Sequence, residues 1–379
     1  MQVNIGILGG GQLGWLIGMD PEAIGQTFYF LDPHKDASCR MLPNALLIGD
    51  FKQAKDVLDF GEKVDVMGIE IEDVHTEALE DLALRGKKVI PSAIHIRQFQ
   101  DKGWQKTFIQ HLGLPTLPFE LLEDGRAPAK INFPYFLKKR RGGYDGYGVK
   151  KIVTEADVKG GFPQPCVAEM GLSCPREFAI TIARDPFGGM ALFPAVEMVV
   201  HEAAFRAETV LCPANLSEEQ MAWMGDMART IVESLDYIGI LSIEFFQDDS
   251  GQLWINEMAP RVHNSAHHST DTCNISQFGQ YVRILKGLPV VPVNLENPGM
   301  MFNLVGAPDA SGMPDETQLT AFQGLKGAKV FWYGKKEVRP FRKMGHVNLV
   351  ATHTEDLKRA EEDVRKLGLF IRGSNSLSL

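Results

Sequence analysis

Glu244, within LSIEFFQ, and Glu257, within LWINEMAP, lie on two apolar runs joined by the turn sequence DDSGQ. Counted back from that turn, the runs pair as antiparallel strands and bring the two carboxylates together. Like charges held that close raise each other's pKa unless a cation joins them. Mg²⁺ suits the arrangement, with Mn²⁺ as a substitute, because a hard cation accepts one or two carboxylates, the neutral oxygen of Asn256 and the phosphates of a substrate. The alternative is a pair of outward-facing acids on an edge strand, although the runs are otherwise hydrophobic. A complementary stretch precedes them, KKRRGGYDGYGVKK at residues 138–151. Its Gly142, Gly143, Gly146 and Gly148 carry no Cβ and permit positive φ, so the loop can approach phosphates closely, and Lys138 just before it supplies a point charge. Standing alone, the loop reads equally well as a solvated hairpin turn with a charged rim.

Three further clusters could carry chemistry. GGGQLG follows an apolar run and sets Gly9, Gly11 and Gly14 in a GxGxxG pattern, with Asp32 near the distance of a ribose-binding acid. That turn serves a dinucleotide, any other phosphate-bearing ligand at a helix N-terminus, or only the turn itself, and nothing downstream resembles a hydride-transfer site. In PRVHNSAHH the spacing of His263, His267 and His268 suggests zinc, but no further ligand is spaced to complete a tetrahedron. Arg261 and His263, just beyond the paired acids, are better placed to hold an anionic substrate. RPFRKMGH gathers Arg339, Arg342, Lys343 and His346, a second basic cluster suited to a phosphate or carboxylate, or else a charged turn between strands.

The elements needed to position these groups are legible in the hydrophobic pattern. Residues 3–8, 28–32, 45–49, 64–72 and 87–92 are short apolar runs with helical stretches between them, which predicts an open parallel α/β sheet over residues 1–100. A helix over 101–112 ends at the prolines of LGLPTLPF and marks a boundary. Strands in PYFLKK, CVAEM, EFAITIARD and MALFPAVEMVV, a long helix in SEEQMAWMGDMARTIVESLD and the two glutamate strands give an α+β order over 101–300. Residues 301–379 read as a small β-rich unit closed by the amphipathic helix EDLKRAEEDVRKLG.

Composition narrows the partners. With 44% hydrophobic residues the 379-residue chain can bury substantial cores, and its net charge of −9 works against general attraction to nucleic acid or anionic lipid, so the basic loop is a local feature. Neither nucleic acid nor a membrane is an expected partner. Cys39, Cys166, Cys174, Cys212 and Cys273 are odd in number and widely spaced, which fits reduced thiols. No run approaches a membrane span, and a cytoplasmic location is expected.

Taken in order, GILGGGQLG, RRGGYDGYG, LSIEFF, NEMAPRVHNSAHHS and WYGKKEVRPFRKMGHVNL resemble the ATP-grasp superfamily and, within it, the N5-carboxyaminoimidazole ribonucleotide synthetase family. The resemblance covers nearly the whole chain. It implies a two-lobed central domain that grips ATP between sheets, and the ATP- and Mg²⁺-dependent carboxylation of 5-aminoimidazole ribonucleotide by bicarbonate through carboxyphosphate. It further implies a homodimer. Position by position, it assigns Lys138 and the loop residues Gly143, Tyr144, Asp145, Gly146, Tyr147 and Gly148 to the ATP phosphates, and Lys102 to the nucleotide site at a position where an adenine-side Arg is common. Glu169, Met170, Gly171 and Leu172 become the adenine hinge, and Glu177 the ribose ligand. His201 and Asn256 join the nucleotide site, with Glu244 and Glu257 as metal ligands. Asp145, Arg261, His263 and Lys343 become the groups around bicarbonate and the substrate amine. Gln12, Glu72, Asn264, Ser265, Arg339 and Arg342 are assigned to the ribonucleotide. The chain departs from the family at Trp15, Lys102, Tyr147, Val149 and Phe341, and its spacing differs by a residue between His201 and Arg206. Because of these departures, another ATP-grasp ligase acting on a different acid and amine is the alternative. An NAD-binding oxidoreductase built on GGGQLG and a non-catalytic ATP- or RNA-binding module are the readings from other classes.

Overall fold

A computed structural model describes residues 3–124, 126–143, 147–173, 175–201 and 206–373. The first sheet has strands β1 (Asn4–Leu8), β2 (Thr27–Asp32), β3 (Leu46–Ile48), β4 (Val66–Ile69) and β5 (Lys88–Val89), all parallel in the order β3-β2-β1-β4-β5. Ile5, Ile7, Leu8, Met67 and Ile69 are buried, as expected of a parallel sheet covered on both faces. Helix α1 (Gln12–Met19) follows β1 directly through the glycine turn.

Helix α2 (Lys102–His111) is capped by Asp101, whose carboxylate accepts from the Gly103 and Trp104 amides. It leads to a four-stranded sheet of β6 (Phe119–Leu122), β7 (Tyr135–Lys139), β8 (Val149–Ile152) and β9 (Cys166–Met170), in the order β6-β9-β7-β8. The basic glycine loop joins β7 to β8. The third sheet begins with β10 (Arg176–Arg184), β11 (Met190–Leu192), β12 (Val196–His201), β13 (Arg206–Cys212), β14 (Gly239–Gln247) and β15 (Leu253–Ala259). Helix α3 (Glu218–Ser234) buries Met224, Met227, Ala228, Ile231 and Val232. Predicted as one strand, MALFPAVEMVV is two, β11 and β12, interrupted at Pro194.

β16 (Gly299–Gly306), β17 (Ala328–Trp332), β18 (Lys343–Val350) and β19 (Phe370–Ile371) extend the third sheet through the β13–β16 pairing, so the expected C-terminal strands continue the central sheet, order β15-β14-β10-β12-β13-β16-β18-β17. Helix α4 (Gln277–Leu285), which the apolar pattern did not single out, is buried over most of its length and ties the parts together. The hydroxyl of its Tyr281 accepts from the Ile69 amide (2.9 Å) and donates to the Ile90 carbonyl (2.8 Å), fixing the first sheet against the third. Four of the cysteines, Cys39, Cys166, Cys212 and Cys273, are buried free thiols, while Cys174 lies outside the described residues. Among the described residues no helix is long and apolar enough to cross a membrane.

Phe341 adopts φ 56°, a left-handed conformation shared among the described non-glycine residues only by Asn44 and Asp236, whose short polar side chains tolerate it. This is the position where the family resemblance implies glycine. Its ring packs edge-on against Phe370 at 6.4 Å. Because the backbone dominates here, Phe341→Gly is expected to have a higher urea midpoint than Phe341→Val by about 1–2 kcal/mol of stability, although valine retains more apolar surface. A higher midpoint for the valine variant would show that packing outweighs the backbone at this site.

Candidate active site

Antiparallel β14 and β15 place Glu244 directly opposite Glu257, as the turn count predicted. A β-bulge follows at once: Glu244 faces Glu257 while Phe245 faces Ile255, leaving Asn256 as the extra residue. A bulge re-aims the side chain it displaces, and the Asn256 Oδ1 accepts from Lys138 Nζ at 2.9 Å on the same side as the two acids. Burial, then the neighbouring Glu257 and Glu177 carboxylates, push Glu244 up to about 8. The Glu257 side chain is partly exposed, and its ion pair with Lys102 outweighs the effect of burial and holds it below the usual carboxylate range. The Lys102 ammonium thus supplies the positive charge that a divalent cation would bring, and the donor set of two carboxylates and an amide oxygen fits a hard cation shared with phosphates.

Behind this pair lies a largely buried charged cluster that borders a cavity. Glu169 on β9 is 1% exposed and forms ion pairs with both Lys138 on β7 and Lys106 on α2, itself 2% exposed. Burial would raise Glu169, yet the two ammoniums hold it below its ordinary value. Burial lowers Lys106 to about 8, while for Lys138 the Glu169, Glu257 and Glu244 charges outweigh burial and raise it. The Glu169 side chain therefore faces Lys138 and Lys106, and Glu169, Met170 and Leu172 all border the cavity. Glu177 on β10 lines the same wall and is raised to about 7 by burial. At the foot of the glycine loop Arg140 makes a two-pronged ion pair with Asp101 (2.9 and 2.5 Å), anchoring the loop to α2.

A cavity of about 1050 Å³ runs from these groups to the glycine turn of the first sheet and to Lys343 on β18. Gln12, Glu72, Arg261, His263, Asn264 and Lys343 line its far part. Several are already paired: Arg261 with Glu72, and His263 Nε2 with Glu244 Oε1 at 3.4 Å. Lys335 donates to Gln12 Oε1 (2.9 Å) and to the Lys343 carbonyl (2.7 Å), joining the glycine turn to β18.

Other expected positions lie elsewhere. Ser265 is buried with its hydroxyl 3.0 Å from His263 Nδ1, so it orients that ring from behind rather than reaching the cavity. Arg339 pairs with Glu337 at an exposed turn and Arg342 donates to the Glu337 carbonyl, both off the cavity wall. His346 is buried against Phe331 and lowered by burial to about 3, so the RPFRKMGH cluster contributes only Lys343 to the cavity wall. Gly171 is held at the wall's edge by the Pro134 carbonyl (3.2 Å), and Gly148, at φ 83°, closes the β7–β8 hairpin by accepting from the Lys139 amide. Tyr147 is exposed, with Lys139 over its ring at 5.0 Å. Tyr144, Asp145 and Gly146 lie outside the described residues, as does the His201 side chain.

The glycine turn rules against a dinucleotide. Glu70 accepts from the Gly11 amide (2.5 Å) and from the Gly14 amide, and Asp32 from the amides of Gly10 (2.9 Å) and His34 (2.8 Å). The donors that would cradle a pyrophosphate, and the acid that would hold a ribose, are spent inside the protein. A Cβ on Gly9 or Gly11 would strike the Glu70 side chain, which explains the glycines without a ligand. The zinc spacing also dissolves, since His268 turns to Thr272 Oγ1 (2.8 Å) and His267 to Gln277 (3.1 Å).

Comparison with known proteins gives the same assignment from a separate direction. Residues 1–100 match a ribonucleotide synthetase preATP-grasp domain, 107–278 an ATP-grasp domain, and 299–360 a phosphoribosylaminoimidazole carboxylase C-terminal domain. The N5-carboxyaminoimidazole ribonucleotide synthase of Synechococcus elongatus is 32% identical over 95% of this chain and 92% of its own. The chain belongs to the N5-carboxyaminoimidazole ribonucleotide synthase family. The Thermotoga maritima synthetase superposes with a TM-score of 0.86 at 30% identity, covering 98% of this chain and 99% of that one. The Aspergillus clavatus synthase, solved with ADP and 5-aminoimidazole ribonucleotide, does so at 0.84 and 26% identity over 97% and 98%.

Against this synthase fold, sequence reasoning missed Lys106 and Glu70, and both had a signal. Lys106 lies one helical turn after Lys102, on the same face of α2. Glu70 alternates with Glu72 at the end of β4, which points both acids the same way.

Proposed function

We propose that this chain is an ATP-grasp ligase that carboxylates 5-aminoimidazole ribonucleotide with bicarbonate, giving N5-carboxyaminoimidazole ribonucleotide, ADP and phosphate in purine biosynthesis. The observation that carries the reading is one continuous cavity joining the paired acids and lysines at one end to Gln12, Glu72 and Lys343 at the other. Phosphoryl transfer to bicarbonate and capture of the product by an amine can then occur without release between them. Carboxyphosphate is destroyed by water, so the two steps must share an enclosed site.

In this reading Lys138 and Lys102 hold the ATP phosphates, Met170 and Leu172 the adenine, and Glu177 the ribose. Glu244 and Glu257, with Asn256 beside them, would hold Mg²⁺, which when bound neutralises charge on the phosphates. Arg261 and His263 hold bicarbonate, and Glu72, Gln12, Asn264 and Lys343 the ribonucleotide. Asp145 is assigned to the amine by sequence alone. The units 1–100, 101–300 and 301–379 divide the work between ribonucleotide, ATP and a closing wall, in a homodimer in the cytoplasm.

The expected result is that ADP forms rapidly only when bicarbonate and 5-aminoimidazole ribonucleotide are both present. Unchanged ATP in that mixture rejects the reading. Turnover with a different acid and amine instead would keep the ATP site and replace the substrate.

A further inference from the structure

His267 carries a buried polar atom in the cavity wall that no described residue satisfies. The side chain is 1% exposed and lines the cavity beside His263 and Asn264. Its Nδ1 lies 3.1 Å from Gln277 Nε2. The orientation of that amide is fixed by its other bonds: Gln277 Oε1 accepts from the His263 amide (2.8 Å), and Nε2 donates to the His263 carbonyl (2.7 Å). Nδ1 therefore faces a donor and must accept. Burial, and then the neighbouring His346 and Lys343, push His267 far below its ordinary value, so the ring is neutral. A neutral imidazole that accepts at Nδ1 carries its proton on Nε2.

That Nε2–H has no partner among the described residues. Buried donors are rarely left unmade, and an exception at a cavity wall marks the place of a ligand atom. Nothing about the ring is loose. It packs on Phe278 (5.5 Å) and His346 (4.9 Å), and the His267 carbonyl accepts from Asn348 Nδ2 (3.2 Å). No hydrogen bond joins the two imidazoles, since His346 uses Nδ1 with the Tyr333 hydroxyl (2.7 Å) and its own Nε2 is also unpartnered.

We propose that His267 contacts the ribonucleotide substrate as an uncharged Nε2–H donor of fixed tautomer, reading an acceptor such as a ring nitrogen or ribose oxygen. This rests on the function proposed above, and it adds a specificity residue to it. A neutral donor suits a neutral acceptor, and charged groups are left to Lys343 and Arg261. A site built to bond one substrate atom discriminates strongly against analogues lacking it, because the protein atom is then stranded.

Two measurements test it. In ¹⁵N-labelled wild-type enzyme without substrate, the His267 ring is expected to show the Nε2–H tautomer with no titration between about pH 6 and 9. Adding 5-aminoimidazole ribonucleotide should shift that Nε2 resonance, whereas ADP alone should not. In kinetics, His267→Phe keeps the ring shape without the donor and is expected to raise KM for the ribonucleotide by about 10- to 100-fold with KM for ATP unchanged, and His267→Gln, which restores an N–H, should recover part of the loss. An Nδ1–H tautomer, a resonance indifferent to the ribonucleotide, or a phenylalanine variant with wild-type KM overturns the proposal. Failure of the wild-type enzyme to consume the ribonucleotide at all would instead overturn the function, and the tautomer measurement would still stand by itself.

Discussion

Glu257→Gln is expected to lower kcat by about three orders of magnitude at saturating ATP and ribonucleotide, with KM for the ribonucleotide nearly unchanged. The substitution preserves shape and removes one negative charge from the only place where β14 and β15 set two carboxylates opposite each other. Three consequences act together. A divalent cation held as proposed would lose half of its protein charge, Lys102 loses its partner, and Glu244 loses the neighbour that, after burial, contributes most to its raised pKa. A loss of that size corresponds to about 4 kcal/mol of transition-state stabilisation, within what cation-assisted phosphoryl chemistry supplies. Initial rates across a Mg²⁺ titration check it. Turnover within tenfold of wild type at saturating Mg²⁺ would remove Glu257 from the proposed metal-binding role and leave its pairing with Lys102 as its whole role.

How much of this was readable beforehand depended on whether a residue's partner lay nearby in sequence. The Glu244–Glu257 pairing was legible because a short turn fixes the register of both strands. The parallel first sheet was legible because apolar runs and helical stretches alternate there. The bulge at Asn256 was not, since one extra residue in a ladder leaves no mark in an alternating pattern. Glu70 filling the glycine turn links the residue just after β4 to the β1–α1 turn almost sixty positions earlier, and GxGxxG therefore looked like a phosphate site. Arg339 and Arg342 were expected in the site because a run of basic residues was treated as one surface. Glu337, two positions before Arg339, takes both of them away from it. His346 failed for a related reason: its side chain points into the aromatic packing of Phe331 and Tyr333, where a charge is too costly to keep. Helix α4 escaped because it is short and carries a polar stripe of Gln277, Gln280 and Arg283, while the burial of Gln277 and Gln280 is decided by tertiary contacts that leave no mark in the local sequence.

The second large effect belongs to the buried cluster behind the acids. Glu169→Gln is expected to cost about 3–5 kcal/mol of stability, because it leaves the buried Lys106 and the largely buried Lys138 ammoniums with no carboxylate between them. The loss should be strongly non-additive. Lys106→Met combined with Glu169→Gln leaves Lys138 with Asn256 as its partner and removes the uncompensated charge, so the double variant is expected to be more stable than Glu169→Gln alone. Nucleotide supplies a further signature. ATP phosphates bring negative charge to Lys138, so ADP should raise the thermal midpoint of Glu169→Gln by more than it raises that of wild type. Chemical denaturation of the four corners of the cycle, and thermal melts of Glu169→Gln and wild type with and without ADP, check all three statements. If Glu169→Gln lies within about 1 kcal/mol of wild type, the two lysines do not depend on Glu169 for their place, and the phosphate end of the cavity must be held by the surrounding strands alone.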